Sequence, residues 1–61
     1  MTGLLARIER MLRIKGIRET RFGRIAVNDP RLVSDLRRGR ELRTATLARV
    51  ERALDVMEVE P

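Results

Sequence analysis

Two short apolar sets on either side of Val27-Asn28-Asp29-Pro30 constrain this chain more than any other feature of it. Phe22, Ile25 and Ala26 have the three-and-four spacing of one helical face, and Val33 and Leu36 repeat that spacing beyond the break. A helix of either length is unstable alone, so the two must pack on each other and on their flanks. Asp29 suits an N-cap, its carboxylate accepting from free backbone N–H groups, and Pro30 suits a first helical position, where a missing donor costs nothing. Gly39 suits the left-handed residue that closes the second helix. The stretch from Thr20 to Gly39 is therefore read as two helices, 20–27 and 30–38, joined by a tight turn.

Two further helices flank this pair. Residues 2–15, with Thr2 as cap, carry Leu4, Leu5, Ile8, Met11 and Leu12 as an apolar stripe, and Arg7, Arg10 and Arg13 recur along another flank. Gly16 then lets the chain reverse. Thr20 is expected to cap the second helix, which leaves its first turn (Arg21, Phe22, Gly23) without an acid and its N–H groups open to a phosphate. Thr44 is expected to cap helix 45–57, whose stripe is Leu47, Val50, Leu54 and Met57. The whole predicts one all-α domain over residues 1–61. Beyond it, Val56, Met57 and Val59 suit a contact between two copies, a strand added across a two-fold axis, or a loose end.

Composition removes most chemistry. With 61 residues the chain buries only about 60% of its unfolded surface, so a partner or second copy would help it. There is no Cys and no His, which excludes disulfides, thiolate nucleophiles and the usual zinc spacings. Ser34 and the threonines lack a His partner, the carboxylates are scattered and no Gly-rich phosphate loop occurs, so neither catalysis nor a cofactor nor a small-molecule ligand is expected. No apolar run approaches the roughly 18 residues of a membrane span. Arg7 and Arg10 break the N-terminal apolar stretch where a secretory signal needs continuity. An Arg-rich amphipathic start also fits a presequence or a membrane-surface helix. Core packing accounts for it better, because Gly16 and Ile17 lead straight into the paired helices. A reducing, cytoplasmic setting is compatible with all of this.

Charge points to a polyanion. Fourteen basic and nine acidic residues give a net +5, and thirteen of the basic ones are Arg. Residues 1–50 carry 13 basic and 5 acidic side chains, whereas 51–61 carry Arg52 against Glu51, Asp55, Glu58 and Glu60. The body is basic and the end acidic. On helix 30–38, Arg31, Ser34, Asp35 and Arg38 fall within one arc of roughly 100°, opposite Leu32, Val33 and Leu36. Arg donates two parallel bonds to guanine, Ser bonds bases or phosphate, and Asp accepts from the cytosine amino group. Asp35 also sits at pairing distance from Arg31 and Arg38 along the helix, so a solvated salt-bridge face fits the same residues. The run Arg37-Arg38-Gly39-Arg40-Glu41-Leu42-Arg43 is the most basic short segment.

The length, turn and spacing from Gly16 to Gly39 resemble the helix-turn-helix of the lambdoid phage repressors and Cro proteins, the Xre-type regulators. In a gap-free overlay Phe22 falls on the family's buried leucine, Gly23 on its small residue, and Val33 and Leu36 on the buried pair of the second helix. The resemblance implies a four-helix lambda-repressor-like domain lacking the usual fifth helix. It further implies that helix 30–38 enters the major groove of double-stranded DNA, with Arg31, Ser34, Asp35 and Arg38 reading bases. Thr20, Arg21, Arg40, Arg43 and Thr44 are then candidate phosphate contacts, and Arg38, where the basic loop begins, is a candidate for either role. A Gln that commonly touches phosphate in the family is replaced here by Glu19, so that contact does not carry over.

Three functions follow as expectations. The first is a sequence-specific transcriptional regulator, a repressor working as a homodimer on nucleoid DNA. The second is a helical interaction module, antitoxin-like or adaptor, that holds an acidic protein on its basic face. The third is a non-specific nucleoid protein. The single aromatic residue, Phe22, argues against stacking on single-stranded bases.

Overall fold

The computed structural model describes residues 3–60. These form four helices with no strand among the described residues: α1 (Leu4–Lys15), α2 (Glu19–Val27), α3 (Leu32–Arg37) and α4 (Thr44–Val59). None is long and apolar enough to cross a membrane. One core forms where all four meet, from Ile8 and Met11 of α1, Phe22 and Ala26 of α2, Leu32 and Val33 of α3, and Val50, Leu54 and Met57 of α4. Phe22, Ile8, Leu32, Leu54, Val33 and Val50 are fully sealed from solvent. The short α3 is held mainly through this burial, since six residues cannot sustain a helix by backbone bonds alone.

The α2–α3 corner depends on three local devices. Asn28 ends α2 in the left-handed region (φ 56°), a conformation its short polar side chain tolerates, and its N–H donates to the carbonyls of Arg24 and Gly23. Asp29 then donates its own N–H to the Gly23 carbonyl (3.0 Å) and accepts from the N–H of Arg31 at Oδ1 (3.0 Å). Gly23 makes the corner possible. A Cβ there would stand 2.0 Å from the Asp29 carbonyl oxygen, so only glycine lets the chain pass this close. At the far end of α3, Gly39 (φ 100°) donates to Leu36 and Arg40 donates to Asp35, the paired bonds of a Schellman closure.

Several expected details change. Helix α2 starts at Glu19, not Thr20, with Arg18 as its cap, so its first turn does contain an acid. Helix α3 spans Leu32–Arg37 rather than 30–38, because Pro30 and Arg31 form a turn that Asp29 bridges before the helix begins. Thr44 is the first residue of α4 and not its cap; Arg43 holds that position, with no side-chain bond. The α1 cap is Gly3, and Thr2 lies outside the described residues. Ile25, assigned to the apolar face of α2, is 56% exposed: a step of about 100° per residue carries it past Phe22 and Ala26 toward the α4 side. Val56 to Val59 continue α4 as helix, which rules out the added strand, and Met57 belongs to the core rather than to a free surface.

Candidate nucleic-acid interface

The outward side of α3 is divided into a crest and two flanks. At about 100° per residue, Arg31, Ser34 and Arg38 share an arc of roughly 60° opposite Leu32, Val33 and Leu36. Arg31 and Arg38 are exposed and Ser34 half-buried, and neither arginine has an ion-pair partner among the described residues. Ser34 donates its hydroxyl to the Arg31 carbonyl (3.2 Å), which fixes the rotor and leaves its lone pairs facing outward.

Each flank is closed by an arginine that gathers acids. On one side Arg37 bonds Glu9 of α1 (3.0 Å) and Glu19 of α2, tying three helices together. Both contacts raise the pKa of its guanidinium, Glu19 more than Glu9. On the other side Arg40 bridges Asp29 (2.9 Å) and Asp35 (3.3 Å) across the base of the turn. The Arg40 bond, with the Arg31 N–H, holds the Asp29 carboxyl below its usual range. Asp29 and Asp35 are thus engaged by Arg40, and Glu9 and Glu19 by Arg37, while Arg31 and Arg38, at the two ends of α3, have no ion-pair partner among the described residues. A third arginine works in the same structural way at the opposite end of the molecule. Arg7 grips Glu58 with two bonds (2.9 and 2.7 Å) and Asp55 with one (2.7 Å), joining α1 to α4 and holding the Glu58 carboxyl low.

The sequence-derived residues fall into place unevenly. Arg31, Ser34 and Arg38 come together as read. Asp35 pairs with Arg40, not with Arg31 or Arg38, and lies at the edge of the crest. Arg40 is not a free cation but the staple between two acids. Thr20 lies on the exposed side of α2, where Arg24 follows one turn later. Arg43 and Thr44 are exposed at the start of α4. Arg21 points elsewhere, into a groove of about 670 Å³ between α2, the end of α1 and α4. Val56 (52% exposed) lines that groove too, while Val59 is 82% exposed at the end of α4.

No protein-family model, curated protein or solved structure matches this chain.

Sequence reasoning missed one role. Arg37 was one more cation in a basic run, although its acids, Glu9 and Glu19, lie 28 and 18 residues away and leave no local signal.

Proposed function

We propose that the chain is a sequence-specific double-stranded DNA-binding regulator of the lambda-repressor-like kind, with α3 as its reading helix. The observation that carries this reading is the crest: Arg31 and Arg38 stand exposed at the two ends of α3 with half-buried Ser34 between them, and the one acid of the helix, Asp35, is already engaged by Arg40. Arg31 opens the helix, the end from which base edges are reached in helix-turn-helix docking. Its fork suits guanine O6 and N7, and Ser34 beside it accepts from a base amino group. Arg38 and Arg43 sit where backbone phosphates flank a seated helix. Their pairing with phosphate releases counterions and supplies affinity without reading sequence. Glu19 supports the reading in an unexpected way, because Arg37 neutralises the carboxylate that would otherwise repel the backbone. Occupation of a promoter by such a domain represses transcription.

Selection of binding sites from random duplex DNA tests this. A regulator enriches one sequence and prefers it over random duplex by roughly 10³-fold or more. A palindrome with half-sites about one helical turn apart reports a two-fold pair, whereas a single site reports one copy. Equal retention of all duplexes means a packaging protein, and retention of none refutes DNA binding.

A further inference from the structure

The α2–α4 groove is a second surface, sharing no residue with the crest. Its floor is apolar: Ile25 and Val56 are each more than half exposed there, with half-buried Ala53 between them. Its rim carries four cations, Lys15 among them, against one acid, Glu60. Arg21, Arg49 and Arg52 line it, and none has an acid partner among the described residues. At one end Lys15 closes the groove by donating to the Glu60 carbonyl (3.0 Å).

We propose that this groove binds an acidic amphipathic helix of a partner protein, apolar residues down and carboxylates against the three arginines. Chemistry selects that occupant over the others. Nucleic acid gains little from an aliphatic floor, and the one aromatic residue, Phe22, is fully buried and offers no stacking surface. A second copy fits poorly, because two of the three acids of α4 are committed: Asp55 and Glu58 are both held by Arg7 of their own chain, which leaves Glu51 alone to meet three arginines. An amphipathic helix lays its apolar face in such a groove through anchors at i, i+3 or i+4, and i+7. Three turns are about 16 Å long, within the 30 × 27 × 19 Å extents of the molecule. The arginines then set specificity, since opposite charge steers the right partner and like charge rejects the wrong one.

The test uses the full chain, ¹⁵N-labelled, and two synthetic three-turn peptides with identical leucine anchors, one flanked by Glu and the other by Lys. The Glu peptide is expected to shift the amide signals of Ile25, Ala53 and Val56 and to bind at least about tenfold tighter than the Lys peptide. Replacing Arg49→Glu and Arg52→Glu together, at exposed positions outside the core, is expected to reverse that preference. The wild-type comparison stands by itself if the double variant unfolds. Equal binding of both peptides, or silence of the three signals, overturns the proposal. Shifts of those signals with protein concentration alone also overturn it, by showing that a second copy covers the groove.

Discussion

Arg37 and Arg38 are neighbours in the chain with identical side chains, yet the fold gives them opposite employment. Arg37 turns back toward the body and binds Glu9 and Glu19, while Arg38 faces out with no acid beside it. Arg40 and Arg31 repeat the contrast on the other flank, the first stapling Asp29 to Asp35 and the second left open. A basic run therefore does not identify its own phosphate contacts. Which cations the fold leaves uncompensated separates residues that shape α3 from residues that present it, and the proposed DNA contact uses the second group.

The strongest way to break both groups at once is Gly23→Ala. The new methyl meets the Asp29 carbonyl at 2.0 Å, so the corner must open, and with it go the seam at Asp29 and the placement of the crest. A loss of about 3 kcal/mol is expected by urea denaturation, enough to abolish cooperative unfolding in a domain this small. Next comes Arg31→Ala, which should leave stability unchanged while removing about 1–3 kcal/mol of discrimination between the selected duplex and a base-substituted one. Arg38→Ala and Arg43→Ala should weaken all duplexes alike and lower the salt slope by about one each in titrations across salt concentration. Arg37→Gln sharpens the contrast from the other side. It is expected to lower the thermal midpoint slightly, as exposed ion pairs do, and to leave base preference alone; a preference erased as fully as in Arg31→Ala would dissolve the distinction.

Acid should reveal the stapling groups. Asp29 and Glu58 are held below their ordinary range in the folded chain by Arg40 and Arg7. Their contribution is complete above about pH 5 and is lost as pH falls through the depressed folded values. The urea midpoint is therefore expected to drop on acidification below about pH 5, and Asp29→Asn should reduce that dependence.

The helices and most of the core were legible because apolar spacing is a local signal: Ile8, Met11, Phe22, Val33, Val50 and Leu54 are buried as their stripes require. Gly16 and Gly39 were legible for a related reason, as each occupies the left-handed position that closes a helix. The cap expected at Thr20 lies two residues earlier, at Arg18, and the one expected at Thr44 lies one earlier, at Arg43, since a polar side chain suits the first turn as well as the cap itself. Asp29 was expected to cap α3 and does not: Arg31 is the cap, and Asp29, three residues before α3 starts, accepts the Arg31 N–H across a turn instead. The crest could be read because its three residues lie within one short stretch, in α3 and at its two caps. Its flanks could not, since they join Glu9, Glu19 and Arg37 on three different helices. The same holds for Ile25, whose exposure depends on how α4 lies beside α2 and not on its own neighbours.

The central claim is that the outer edge of α3, and not the α2–α4 groove, meets the duplex. Titrating the labelled chain with its best-enriched duplex decides this. The account predicts that the amide signals of Arg31, Ser34 and Arg38 move most while those of Ile25, Ala53 and Val56 stay in place. Movement confined to the groove, with α3 silent, would contradict it.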